Sequence, residues 1–394
     1  MIYIQIRKMT QFLDSNFKLG ILGGGQLGKM LCKETNEWSI NTHILDKSVS
    51  FPSGRNATAF VEGDYNNYDD VINFGKEMDV ITIEIEHVNV DALEVLEKEG
   101  KTVHPRPSAL RIIKDKGLQK NFYADHNLPT SDYELFESKA DILNAVEDGR
   151  VTVPFVQKSR TAGYDGKGVF VVSSSAKLEQ MMDCPSVVED LVDIEKELAV
   201  IAVRNPKGEV NTFPIVEQEF HPTANLVEFL LAPAEIDILI EEKCKNLAVD
   251  IINKLDVCGL LAVELFLTTK GEVLINEVAP RPHNSGHHTI ESCSSSQFEQ
   301  HIRGILNMPL SQIVQNSPAV MVNLLGADGH TGEAIYPGFE ECISQSNVYP
   351  HLYGKVMTKP FRKMGHITIT DPDREKAKEK AKLVKNSIRV EAKQ

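Results

Sequence analysis

Glu264 and Glu277 sit in GLLAVELFLTTKGEVLINEVAPR, on two apolar runs either side of Lys270-Gly271. If those two residues form a hairpin turn, Thr269 opposes Glu272, and counting outward sets Glu264 directly opposite Glu277. Like charges facing one another destabilise a sheet unless something positive lies between them. Oxygen-only ligands suit Mg²⁺, which takes one or two carboxylates and fills its shell from substrate phosphates. A slip of one residue would instead turn one glutamate to solvent. Directly afterwards, VAPRPHNSGHHT crowds Arg281, His283, Asn284 and His287 into a Pro- and Gly-rich loop. Such a loop can offer a cation and donors to an anion, or use the same groups to brace itself.

Two glycine-rich stretches point to phosphate. GILGGGQLG carries G-x-G-x-x-G at Gly23, Gly25 and Gly28 between a strand and a helix, with Asp46 about 20 residues on. That spacing is a dinucleotide-binding turn, whose amides meet phosphate at a helix N-terminus, and α/β proteins also reuse it without a ligand. KSRTAGYDGKGV, from Lys158 to Val169, joins two strands and lacks the G-K-[ST] of a Walker A loop. A mobile strand-to-strand loop with Lys158, Arg160 and Lys167 can close over a triphosphate, or be a solvated turn. Further on, KVMTKPFRKMGH gathers Lys355, Lys359, Arg362 and Lys363, which in an acidic chain reads as a phosphate pocket. EDLV, Glu189 to Val192, ends a strand and could read an adenine edge.

The elements that must position these groups follow from periodicity. From Lys18, strands (KLGILG, THILD, DVITIEI) alternate with helices, which argues for a parallel sheet covered on both faces. Two prolines in HPRPSAL close this first unit. Next come the helix GLQKNFYADH, a strand-rich unit holding the second glycine loop, and a helix around Lys177 to Met182. A long helix from Pro233 to Leu255, the hairpin, the helix QFEQHIRGILN and a tail of short strands with one solvated helix complete the chain. Six scattered cysteines without a C-x-x-C pair fit a reducing cytosol, and the net charge of −14 disfavours nucleic acid. With 42% hydrophobic residues and no long apolar run, the sequence describes a soluble, cytoplasmic protein without a membrane span. The opening MIYIQIRKMTQFLDSNF lacks a secretory signal's core and reads as an extension, with Met9 an alternative start.

GILGGGQLGKML, KSRTAGYDGKGV, INEVAPRPHNSGHHT and SQFEQHIRGILNMPL closely resemble the N5-carboxyaminoimidazole ribonucleotide synthetases, purine-biosynthetic members of the ATP-grasp superfamily. The resemblance runs from about Lys18 into the C-terminal tail. It implies a mixed α/β and α+β ATP-grasp fold. An extension (1–17) would precede a Rossmann-like pre-ATP-grasp domain (18–113) and a small lid domain (114–195). A C-terminal ATP-grasp domain (196–394) would follow, with a subdomain from about 330. It also implies an ATP-dependent C–N ligase using Mg²⁺. Bicarbonate would be joined to 5-aminoimidazole ribonucleotide through carboxyphosphate, giving ADP and phosphate. A homodimer, and transient hand-over of an unstable carbamate to the downstream mutase, complete the expected partners.

The resemblance carries over residue by residue. For ATP it implies Lys116, Lys158, the lid residues Gly163, Tyr164, Asp165, Gly166, Lys167, Gly168 and Val169, and the hinge Glu189, Asp190, Leu191 and Val192. Glu197 and Glu217 would lie near the ribose, and Asn276 and Glu277 at the nucleotide, with Glu264 and Glu277 as metal ligands. For the aminoimidazole ribonucleotide it implies Gln26, Leu27, Glu84, Tyr164, Asp165, Arg281, His283, Asn284, Lys355, Arg362 and Lys363. The catalytic positions are Arg281, His283, Asn284 and Tyr164. On this reading Gly25 to Gly28 meet the substrate's ribose 5-phosphate, and Asp46 loses its cofactor role. Many ATP-grasp proteins carry asparagine where Ala279 stands, which leaves two protein carboxylates for the metal. The alternatives are a formate-dependent glycinamide ribonucleotide transformylase and an NAD-dependent dehydrogenase or sensor. The first would share the ATP site, whereas the second leaves the glutamate pair without a purpose.

Overall fold

The computed structural model describes residues 11–161, 163, 168–220 and 227–393. The first unit is a parallel five-stranded sheet built from β1 (Leu19–Leu22), β2 (Thr42–Asp46), β3 (Ala59–Glu62), β4 (Val80–Ile83) and β5 (Thr102–Val103). Its strand order is β3-β2-β1-β4-β5. Every residue of β1 and β4 is buried, as a sheet covered on both faces requires. The helix Gln26–Glu37 follows β1 and turns Leu27, Met30 and Leu31 inward. There they share one core with Phe298, Ile302 and Ile305 of the helix Gln297–Ile305. His301 adds a polar joint, its Nε2 3.0 Å from Thr82 Oγ1 and its Nδ1 accepting from Leu260 N. The glycine turn is therefore fixed against the hairpin side of the molecule.

A small antiparallel sheet follows, with β6 (Tyr133–Phe136), β7 (Phe155–Ser159), β8 (Val169–Val172) and β9 (Ser186–Asp190) in the order β6-β9-β7-β8. β7 and β8 are direct neighbours with Lys158 opposite Val169, so the second glycine loop does connect two paired strands. The helix expected around Lys177 is a 3-10 segment, Ser175–Gln180.

The largest sheet is antiparallel. It contains β10 (Ile194–Arg204), β11 (Val210–Thr212), β12 (Val216–Phe220), β13 (Val227–Ala232), β14 (Gly259–Thr268), β15 (Val273–Ala279) and β16 (Ala319–Leu325). After a short β17 (Gly332–Ile335), β18 (Val348–Leu352) joins it, and after β19 (Met357–Thr358), β20 (Lys363–Thr370) does the same. The order is β15-β14-β10-β12-β13-β16-β20-β18, with β11 on β10. Strands expected in the tail as short pieces are thus seven and eight residues long in β16 and β20, and they extend the main sheet. One face packs on the helix Ile238–Lys254 through Leu198, Val200, Val263 and Leu265. That helix starts five residues later than expected, where Asp237 accepts a hydrogen bond from Leu239 N. The opposite face carries Glu264 and the loop after β15.

Candidate functional site

The β14–β15 hairpin pairs Glu264 with Glu277, as expected, but by a different route. The turn has three residues, Thr269 to Gly271, closed by Gly271 N on Thr268 O and Thr268 N on Glu272 O, with Gly271 at φ +77°. That loop shifts the count by one, and a bulge at Asn276 shifts it back, since Leu265 pairs with Ile275 and Glu264 with Glu277. The extra residue has a chemical result: Asn276 and Glu277, consecutive in sequence, both reach the site face. Asn276 Oδ1 accepts from Lys158 Nζ at 2.9 Å, and its Nδ2 lies 3.4 Å from Glu264 Oε2. Lys116, the first residue of the helix Lys116–Asp125, bonds Glu277 through Nζ.

The two carboxylates are electrostatically unequal. Burial raises the Glu264 carboxyl and the neighbouring Glu277 charge raises it further. Burial also pushes Glu277 upward, but Lys116 outweighs it and holds that carboxyl below the ordinary range. Among the described residues no cluster of three or more His, Cys, Asp or Glu could hold a metal. Two facing carboxylates of this kind fit Mg²⁺ completed by nucleotide phosphates better than a self-sufficient metal centre.

Beside them lies a buried cation–carboxylate network. Glu189 receives Lys158 at 2.9 Å, Lys120 at 3.0 Å and Ser131 Oγ at 2.6 Å. Burial opposes its ionisation, yet the two lysines bring the carboxyl down to about 2. Lys120 loses by the arrangement, burial lowering it to about 8. Together with Lys116, Lys158 and Asn276, Glu189 and Lys120 line a small cleft. Lys120 was missed in the sequence; its spacing of four from Lys116, on one helix face, was the available signal. Beyond Asp190 the chain leaves the ladder; Asp190 and Leu191 are exposed and Val192 is half-buried. Of the lid residues Gly163 to Val169, only Gly163, Gly168 and Val169 are described, with Gly168 at φ +77° and its carbonyl accepting from Ser159 N. Tyr164, Asp165, Gly166 and Lys167 lie outside the described residues. Arg160, at the loop's start, clasps Asp115 at 3.0 and 2.8 Å, and Asp115 caps the helix that carries Lys116.

Glu197 and Glu217 part company. β10 pairs Glu197 with Gln218 and Leu198 with Glu217, so alternation sends the two glutamates to opposite faces. Glu197 shares the face of Glu264, and burial raises its carboxyl to about 7. Glu217 points to the other face, paired with Lys196 at 3.0 Å and Arg374 at 3.4 Å, and does not join the site. Buried Gln218 stands on the site face in its place.

On the other side of Glu264 is the loop after β15. His283 Nε2 is 3.5 Å from Glu264 Oε1, and Arg281 reaches Glu86 Oε1 at 2.7 Å. Burial, then Arg281 and Lys363, drive the His283 imidazole down to about 3, so it is neutral. Both side-chain polar atoms of Asn284 are buried without a partner among the described residues, which suits a group that waits for a ligand. Lys363 acts on both Glu264 and His283 across the space between β20 and the loop. Lys355 Nζ donates to Lys363 O at 2.8 Å, and Arg362 donates to Met357 O at 2.6 Å.

The glycine turn overturns an expectation. The amides of Gly24, Gly25 and Gly28 do not face outward for a phosphate, because the protein's own carboxylates take them. Glu84 accepts from Gly25 N and Gly28 N, both at 2.9 Å, and Asp46 accepts from Gly24 N at 2.6 Å. The glycines make room for that carboxylate: a Cβ would lie 2.5 Å from Glu84 Cγ at Gly23 and 2.5 Å from Glu84 Oε1 at Gly25. Burial raises the Glu84 carboxyl, against the pull of the two amides. Glu84 is therefore a helix cap here, and a dinucleotide pyrophosphate would have to displace it. Leu27 is buried in the core, leaving its side chain no substrate contact. Gln26 is half-buried. One helical turn on, Lys29 Nζ donates to Leu352 O at 2.9 Å, tying this helix to the chain that leads to Lys355. Glu86, not Glu84, reaches the Arg281 loop; the alternation in TIEIEH held both glutamates.

The chain matches three family models in sequence order. These are a ribonucleotide synthetase preATP-grasp domain over 17–114, an ATP-grasp domain over 121–298 and a phosphoribosylaminoimidazole carboxylase C-terminal domain over 319–380. It is 36% identical to the N5-carboxyaminoimidazole ribonucleotide synthase of Bacillus subtilis, over 89% of this chain and 90% of that one. The solved N5-carboxyaminoimidazole ribonucleotide synthetase of Thermotoga maritima superposes with TM-score 0.88 at 38% identity, covering 96% of this chain and all of that one. The Aspergillus clavatus N5-carboxyaminoimidazole synthase, solved in complex with ADP and 5-aminoimidazole ribonucleotide, gives TM-score 0.85 at 32% identity, covering 94% and 98%. Fungal and plant phosphoribosylaminoimidazole carboxylases also match, and the chain spans 63% of their length. With that order of domains and a match over nine-tenths or more of these synthases' length, the chain belongs to the N5-carboxyaminoimidazole ribonucleotide synthase family of ATP-grasp proteins.

Proposed function

We propose that the protein carboxylates 5-aminoimidazole ribonucleotide with bicarbonate, converting ATP to ADP and phosphate. One observation carries the reading: the bulged hairpin sets Glu264, Asn276 and Glu277 on one face, between the lysines of the nucleotide side and the Arg281–His283–Asn284 loop. Glu264 and Glu277 would hold Mg²⁺, which would supply charge neutralisation for the transferring phosphoryl group. Lys116 and Lys158 are poised to exchange Glu277 and Asn276 for phosphate oxygens. Bicarbonate is a poor electrophile, and phosphorylation makes carboxyphosphate, which the exocyclic amine attacks directly or as released CO₂. Neutral His283 can accept a proton from that amine, while Arg281, Asn284 and Lys363 offer positive charge and donors to the anionic partners. Lys355 and Arg362 would hold the ribose 5-phosphate, with Gln26 at its edge, and Tyr164 and Asp165 would close from the lid. The product, an unstable carbamate, suits direct hand-over to the mutase that consumes it, and the working unit would be a homodimer. No described helix is long and apolar enough to cross a membrane, which accords with a cytoplasmic setting.

The test is an ADP-release assay on the purified protein with bicarbonate. Release should require 5-aminoimidazole ribonucleotide and not respond to glycinamide ribonucleotide with formate; release indifferent to the nucleotide would sink the proposal.

A further inference from the structure

Behind the Arg281–Asn284 loop three imidazoles are stacked. His287, His366 and His351 lie face to face, with centroids 4.4 and 4.5 Å apart and interplanar angles of 19° and 15°. His351 and His366 are direct cross-strand partners on β18 and β20, so the pleat sets their rings on one face. His287 comes from the other domain, four residues after His283. The central ring, His366, is fully buried, and its Nδ1 lies 3.1 Å from the Tyr353 hydroxyl. The outer ring of His351 bonds Glu291 at 2.7 Å.

The stack leads to substrate-side groups from its His287 end and from its central ring, His366. On one side Gln297 Nε2 is 3.2 Å from His287 Nδ1. The same amide grips the His283 backbone, Oε1 accepting from His283 N and Nε2 donating to His283 O, each at 2.8 Å. Gln297 is fully buried, and a Cβ on Gly286 would sit 2.5 Å from its Cδ, so the clamp leaves no slack. On the other side the Tyr353 ring lies 5.4 Å under Lys355 Nζ, and Tyr353 N bonds Met364 O next to Lys363. Burial keeps His287 and His366 well below the ordinary imidazole range, so the rings stack without charge repulsion.

We propose that His366 is a positioning residue, the middle plate of a stack that holds the Arg281–Asn284 loop and the Lys355–Lys363 chain in one fixed relation. The inference rests on the proposed function, because its ligand is a ribonucleotide that spans both segments. A ligand gripped at two places loses affinity when the places shift relative to one another. ATP does not span them, since its groups sit on β7, β9, β14 and β15.

Steady-state kinetics of His366→Ala and His366→Phe test this. His366→Ala should raise the KM for 5-aminoimidazole ribonucleotide about tenfold with the ATP KM within about twofold of wild type. His366→Phe, which restores two ring faces, should return that KM to within about threefold. A general loss of structure would move both KM values or the active fraction, so equal shifts, no shift, or a phenylalanine variant no better than alanine overturns the proposal. If His366→Ala does not fold, Tyr353→Phe, which removes only the hydroxyl from His366, should raise the ribonucleotide KM about threefold and leave that of ATP; an unchanged ribonucleotide KM overturns it equally. Wild-type protein inert toward the ribonucleotide would bring down the proposed function and this coupling with it. An active wild type beside an unaffected variant brings down the coupling alone.

Discussion

Two pairs of carboxylates in this chain face the same difficulty and settle it in opposite ways. Asp46 and Glu84 are buried in the glycine turn, and backbone amides of Gly24, Gly25 and Gly28 satisfy them. Glu264 and Glu277 face each other across the hairpin, answered among the described residues by lysine side chains, a neighbouring amide and a neutral histidine. Backbone amides cannot move away when a ligand arrives, whereas side-chain cations can. The first pair is thus architecture and the second a site, although residue type alone does not tell them apart.

The comparison breaks most visibly at Glu277. Glu277→Gln removes one of two facing charges, so ADP formation should fall about 100-fold or more while the melting temperature holds or rises. A coupled ADP assay with a thermal melt checks both, and a variant retaining a tenth of wild-type turnover would refute the assignment. Glu84→Gln should do the converse in kind: an amide offers one acceptor where two N–H groups need one each. Urea unfolding should show a loss of about 2 kcal/mol, and an unchanged midpoint would mean that the cap is dispensable.

A smaller effect separates the neighbouring network from both pairs. Glu189 titrates at about 2 in the folded chain against its ordinary 4.5, so the unfolded chain takes up this proton first on acidification. Its stabilisation is complete above about 4.5 and is lost as pH falls through about 2. Lys120 runs the other way: at about 8 against 10.5, the folded chain sheds its proton first, and stability rises between those values. Urea midpoints from pH 2 to 5 should fall less steeply for Glu189→Gln than for wild type; parallel curves would remove Glu189 from the acid limb.

The sequence disclosed these features unevenly, for physical reasons. The parallel sheet was legible because β1 and β4 are apolar throughout and alternate with helices. The pairing of Glu264 with Glu277 was reached through two errors that cancel, a loop one residue longer than assumed and a bulge of one residue. Periodicity reports neither. The resemblance set Glu217 beside Glu197 at the ribose, but nothing in the sequence fixes the register of β10 on β12, which turns the two to opposite faces. The glycine turn stated correctly that something approaches the backbone closely, but not that the visitor is Glu84 from the same chain. Glu86 and Lys120 were present in the patterns, and only their distances to Arg281 and Glu189 single them out.

The extra residue at Asn276 also bears on how such a site can arise. Every cross-strand pair on either side of it is the pair a regular hairpin would form, so losing that residue alone would leave the ladder and the facing glutamates unchanged. What would go is the amide that links Lys158 to Glu264. An ancestral hairpin could therefore gain this third polar group by insertion of one codon, without re-pairing a strand or sending a glutamate into the core.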